Sequence, residues 1–163
     1  MNNFKIELTF DEKILDRCAL MMSQSEPWIT LKRGLEGCKE SMRGDYKEVY
    51  VCMEYEKLLG FIVLQMAGVF KGYIQSVCVS PEMRGSGLGT ELIRFAEERI
   101  FSISPNVFML VSAFNEKADR LYSRLGYEKI GTLKNFVIDG YDEFLLRKTI
   151  GPLKDYPIIN RNS

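Results

Sequence analysis

Apolar and polar residues alternate over Lys5–Thr9, the two-residue period of a half-buried strand. From Asp11 to Met22 the period lengthens, and Ile14, Leu15, Cys18, Ala19 and Met22 share one helical face. Thr9 stands three residues before Glu12, the spacing of a capping box that would open this helix. Ser25-Glu26-Pro27 ends it, because proline pushes the residue before it out of the helical region. A second helix is predicted over Trp28–Met42, weakened by Gly34 and Gly37. Glu48–Met53 and Leu58–Met66 are β-rich runs around the polar turn Tyr55-Glu56-Lys57 and form a predicted hairpin. Tyr73–Val79 is the next strand, stopped at Ser80-Pro81. A glycine-rich stretch then leads into a helix over Gly87–Ser102, with Leu88, Leu92, Phe95, Ala96 and Ile100 inward and Glu91, Arg94, Glu97 and Glu98 outward. Val107–Ser112 is a strand. Asn115 is a suitable N-cap for a helix over Glu116–Leu125, whose inner stripe is Ala118, Leu121, Tyr122 and Leu125. Gly126 suits its left-handed C-terminus. Strands over Tyr127–Val137 and Tyr141–Thr149 flank Asp139-Gly140, a strong hairpin signal.

The order β-α-α-β-β-β-α-β-α-β-β predicts one α/β domain on a mixed sheet over residues 1–150, followed by a tail over 151–163 in which Tyr156, Ile158 and Ile159 could dock. A chain of 163 residues has room for a single covered core. Lys plus Arg and Asp plus Glu are both 22, and cutting at Pro81 leaves 10 against 11 before it and 12 against 11 after it. With the charges balanced overall and neither half biased by more than one, neither a nucleic acid nor an anionic membrane is an expected partner. An anionic ligand would have to be held by a few side chains or by backbone N–H groups. Histidine is absent, which excludes a Ser-His-Asp triad, a Cys-His pair and every His-bearing metal site. Cys18, Cys38, Cys52 and Cys78 are dispersed, so no metal is expected and free thiols in a reducing, cytoplasmic setting are. The N-terminus reads as mixed and polar rather than as a secretory signal, and the longest apolar run, Leu58–Met66, is too short to span a bilayer.

Arg84-Gly85-Ser86-Gly87-Leu88-Gly89-Thr90, between a strand and a helix, has the makings of an anion cradle. Glycines turn the backbone tightly, N–H groups point outward and the helix N-terminus is partly positive. No lysine follows Gly89, so it is not a nucleotide P-loop, and Thr90 stands where a dinucleotide fingerprint needs its third glycine. A tight turn that holds nothing is the plain alternative.

The stretch Val79 to Gly89 resembles the acyl-CoA pyrophosphate loop of the GNAT superfamily of N-acetyltransferases, with Arg84, Gly87 and Gly89 at the pattern positions and Pro81 upstream. Asn115 to Tyr127 is similar to the second signature of that superfamily, in which Asn, Ala, Leu-Tyr and Leu-Gly-aromatic recur at these spacings. The resemblance covers Glu48–Lys148. It implies a mixed, mostly antiparallel twisted sheet flanked by helices, and acetyl-CoA as co-substrate. Val77, Cys78 and Val79 would run beside the pantetheine arm. The stretch Arg84, Gly85, Ser86, Gly87, Leu88, Gly89 and Thr90 would hold the pyrophosphate, and Asn115, Ala118 and Tyr122 would line the cofactor. Taken singly, Asn115 is as readily an N-cap and Tyr122 a core residue.

Acetyl transfer to an amine needs a neutral nucleophile, a polarised carbonyl and a proton for the leaving thiolate. The Tyr122 hydroxyl suits the last task, and a backbone N–H, at Val77, the second. The glutamates that many members carry fall here on Tyr73 and Leu110, neither of which accepts a proton. Glu26, Glu82, Asp139, Asp142 and Glu143 remain, beside a water chain, and the base is unassigned. Cys78 alternates with Val77 and Val79 and lacks an activating histidine, so it reads as a buried small hydrophobe and the transfer as direct. By the resemblance, the acceptor enters near Trp28 and the last hairpin, where Asp139, Asp142 and Glu143 could attract a cationic amine, with Gln75 a further acceptor-side residue that can hold a water. That acceptor is a small-molecule or protein amine, and homodimerisation is left open. The rival reading is a non-catalytic acyl-CoA-binding or regulatory domain on the same fold.

Overall fold

Period-two patterning pairs its strands into one sheet. The structure, a computed structural model, describes residues 4–157. Strands β1 (Ile6–Thr9), β2 (Lys47–Glu54), β3 (Lys57–Gln65), β4 (Tyr73–Val79), β5 (Asn106–Ser112), β6 (Glu128–Leu133) and β7 (Glu143–Thr149) lie in the order β1-β2-β3-β4-β5-β7-β6. Neighbours are antiparallel except β4 and β5. Helices α1 (Glu12–Ser23), α2 (Gly34–Ser41), α3 (Leu88–Phe101) and α4 (Glu116–Arg124) complete the fold.

Alternation along the strands feeds two cores. Tyr50, Ile62, Leu64, Ile74, Met109 and Val111 face α3 and α4, and pack with Leu88, Leu92, Ile93 and Tyr122. Val49, Val51, Phe61, Val63 and Cys78 face the other way, onto Leu15, Cys18, Ala19 and Met22 of α1 and Cys38 of α2. The sheet is thus covered on both faces, as a mixed sheet carrying a crossover helix requires. Among the described residues, no helix is long and apolar enough to cross a membrane.

Two irregularities shape the centre. In the β3–β4 ladder Val63 pairs with Ser76 and Leu64 with Ile74, which leaves Gln75 as the extra residue of a bulge. The bulge reverses the side-chain parity of β4. Ile74 before it and Val77 and Val79 after it all face the α3 core, while Cys78 faces α1. β4 and β5 are bridged only at Tyr73–Phe108 and Ile74–Met109, and beyond that they separate.

Several expectations need correction. Asp11, not Thr9, caps α1: its Oδ1 accepts from the N–H groups of Lys13 (2.8 Å) and Ile14 (3.2 Å), while Thr9 Oγ1 accepts only from Asp11 N–H. The second helix does not begin at Trp28. Residues 28–32 form turns, and Lys32, with φ 52°, interrupts the helical path before α2. Asp139-Gly140 is not a two-residue hairpin. β6 stops at Leu133, and residues 134–142 form a wider loop in which Asp142 Oδ1 accepts from Asn135 N–H (3.1 Å) and Asn135 Oδ1 from Gly140 N–H (2.8 Å). Glu97 does not face solvent but is buried, with Oε2 2.8 Å from Lys148 Nζ. Past β7, the Tyr156 hydroxyl donates to the Phe101 carbonyl at 2.5 Å, whereas Ile158 and Ile159 lie outside the described residues.

Candidate active site

The parting of β4 from β5 opens a cavity of about 540 Å³. Tyr73, Gln75, Ser76 and Val77 line it from β4, and Leu110 and Ser112 from β5. Asn115, Ala118 and Tyr122 come from α4 and its cap, and Trp28, Arg33, Ser41 and Lys47 from the opposite side. Phe136, Val137 and Glu143 close it from the β6–β7 end.

Below the cavity, the Val77–Val79 segment leads through a 3₁₀ turn (Pro81–Met83) into the glycine loop. Gly85 (φ 78°) and Gly87 (φ 92°) are left-handed, the region that penalises any side chain. Ser86 N–H bonds to the Met83 carbonyl (3.2 Å) and Leu88 N–H to Ser86 Oγ (3.3 Å). Among the described residues, the N–H groups of Gly85, Gly87, Gly89 and Thr90 have no acceptor. Four free donors at the start of a helix are able, chemically, to hold an anion such as a phosphate. Arg84 is exposed beside them. The loop does not itself line the cavity; the β4 edge connects the two.

On α4, Asn115 Oδ1 accepts from Ala118 N–H (3.3 Å), so its side chain is at least a cap. Tyr122 is 8% exposed, and burial pushes its hydroxyl up to about 12. Cys78 is 5% exposed, its thiol raised by burial, with Sγ 3.6 Å from Ser25 Oγ. Its side chain faces α1, so only its backbone lies on the Val77–Val79 edge. Gln75 Nε2 and Lys47 Nζ both donate to the Ser41 carbonyl, each at 2.9 Å, tying the bulge to the end of α2.

Of the three acids expected to meet an amine, only Glu143 lines the cavity. Asp142 closes the loop through Asn135, and Asp139 is exposed on it. Glu82, a further carboxylate candidate, pairs with Lys57 (3.0 Å), away from the cavity. Glu26 lines the rim and accepts from Thr30. The sequence reading missed Arg33, Lys47 and Ser112. The one available signal was the alternation that puts Ser112 on the same face as Leu110.

The model of the acetyltransferase (GNAT) family matches residues 15–127. The chain belongs to that family. Among its relatives, an uncharacterized N-acetyltransferase of Methanocaldococcus jannaschii is 35% identical over 101 residues, 61% of this chain and 64% of that protein. An N-alpha-acetyltransferase of Sulfurisphaera tokodaii is 29% identical over 80 residues, 48% of each chain. The chain thus spans about half to two thirds of the length of these curated relatives. The GNAT fold recurs in the crystal structure of aminoglycoside 6'-acetyltransferase type Ii, with a TM-score of 0.72 at 20% identity, covering 91% of this chain and 98% of that one.

Proposed function

We propose that the protein transfers an acetyl group from acetyl-CoA to an amine by direct attack in a ternary complex. The observation that carries this reading is one continuous edge, from four free N–H donors at the glycine loop, along Val77–Val79, to a cavity that Tyr122 lines. The loop donors and Arg84 would hold the pyrophosphate. The backbone edge where β4 leaves β5 would take the pantetheine arm, since its neighbour there is missing. The acetyl carbonyl would then lie near Val77, whose backbone N–H serves as oxyanion donor. Attack by the amine forms the C–N bond, collapse breaks the C–S bond, and the Tyr122 hydroxyl protonates the thiolate. Asn115 and Ala118 line the same wall. Trp28 and Gln75 stand on the acceptor side, as does Glu143.

The amine class is supported by the relatives: one is an N-alpha-acetyltransferase and a fold neighbour is an aminoglycoside acetyltransferase. The test is thiol release from acetyl-CoA with a panel of acceptors: a peptide with a free N-terminus, a lysine peptide blocked at its N-terminus, a polyamine and an aminoglycoside. Amine-dependent release with matching acetylated product supports the reading. Tight acetyl-CoA binding with no release for any acceptor would leave only a CoA-binding domain.

A further inference from the structure

Glu143 is the first residue of β7 and stands in register opposite Ser112. Residues opposed across an antiparallel pair share a face, so Leu110, Ser112, Glu143 and Leu145 form one patch. Met109 and Val111 face the α3–α4 core, so by alternation this patch faces the α1–α2 side. Glu143 is 4% exposed yet lines the cavity. Its Oε1 accepts from Ser112 Oγ at 2.7 Å, and among the described residues its Oε2 has no partner. A buried carboxylate fixed by one oxygen and open at the other, with Tyr122 reaching the same cavity from the opposite face, has the geometry of a proton acceptor.

We propose that Glu143 is the general base of this site, with Ser112 as its positioning residue. The inference rests on the acetyl-transfer reading. Oε2 takes a proton from the acceptor ammonium, directly or through one water, and the freed lone pair attacks the thioester carbon. As the C–S bond breaks, Tyr122 donates its proton to the thiolate. The second proton of the attacking nitrogen returns to the Tyr122 oxygen through water, and Glu143 releases its own to solvent. The products are the amide, the free thiol and one proton. Leu110 on this patch offers no carboxylate, and Glu143, two residues along the face and one strand across, supplies one. Burial raises the Glu143 carboxyl, and the Ser112 bond partly offsets this. Other ionisable groups facing the cavity are Tyr73 from β4, Tyr122 from α4, Lys47 from β2, Arg33 and Glu40 beside or on α2, and Glu26. Tyr73, pushed up to about 12 by burial and by the Glu143 charge, stays neutral there.

The test is Glu143→Gln, which keeps an acceptor for Ser112 but takes no proton. With the best amine of the panel, kcat at neutral pH should fall about 10²-fold or more, with unchanged folding and acetyl-CoA affinity. The deficit should shrink as pH rises toward the pKa of the amine, because a neutral amine needs no base. In Ser112→Ala, the rising limb of the pH–rate profile should move to higher pH, since the donor that lowers the carboxyl is gone. A wild type inert toward every amine overturns the acetyl-transfer reading itself. An active wild type matched by an equally active Glu143→Gln, or by one with a pH-independent deficit, overturns only the base. Should Glu143→Gln fail to fold, an unshifted limb in Ser112→Ala overturns it.

Discussion

At the scale of single residues, burial decides what each ionisable group of the cavity can do. The Tyr122 hydroxyl, raised to about 12, keeps its proton across the working range and is available as an acid. Tyr122→Phe preserves the ring packing and removes only the donor. Its kcat should fall on the order of 10²-fold, with calorimetric acetyl-CoA affinity and melting temperature nearly unchanged. For the same reason Tyr122 should add no falling limb to the pH–rate profile well below that value. Cys78 illustrates the opposite case. Its thiol is buried against α1 and raised, hence un-ionised and without a route to the thioester. Intact-mass measurement after incubation with acetyl-CoA should show no adduct on it, and Cys78→Ala should keep wild-type turnover.

At the scale of elements, the loop between β4 and α3 works through backbone conformation. Gly87 is left-handed, with φ 92°, whereas Gly89 already lies in the helix. A Cβ at Gly89 would sit 3.6 Å from Val79 Cγ2, an ordinary contact. The two glycines therefore respond differently to the same change. Gly87→Val should cost roughly 1–2 kcal/mol of backbone strain or else move the loop, and calorimetry should show acetyl-CoA binding weakened at least tenfold. Gly89→Ala should bind within a few-fold of wild type. Equal losses in both would mean that bulk near the phosphates, not donor geometry, controls binding.

At the scale of the whole molecule, α3 is fastened to β7 by a part-buried ion pair, Glu97–Lys148 at 2.8 Å, with side chains 10% and 27% exposed. Among the described residues, Glu97 Oε1 and the nearby Tyr127 hydroxyl have no hydrogen-bond partner. Lys148→Met strands the glutamate and should lower stability by roughly 1–3 kcal/mol, discounted for the partly exposed lysine. Adding Glu97→Gln should recover part of the loss in thermal melts. Lys148 and Glu97 were not legible as a pair, because 51 residues separate them in the chain and Glu97 sits at the margin of an amphipathic pattern. Much else was legible. Strand and helix order follow from local periodicity, the caps at Asn115 and Gly126 from local backbone chemistry, and the glycine-rich turn into α3 and the family from contiguous motifs, all properties of near neighbours in sequence. What required the fold were facts about which residues meet. The Gln75 bulge arises from β3–β4 register. The Asp139-Gly140 signal yielded to side-chain bonds within a wider loop. Glu143 became a buried carboxylate of the cavity only because β7 pairs with β5 and seats it opposite Ser112. Local pattern fixes what each segment can form, while register and burial, which depend on partners far along the chain, decide which polar groups face the cavity.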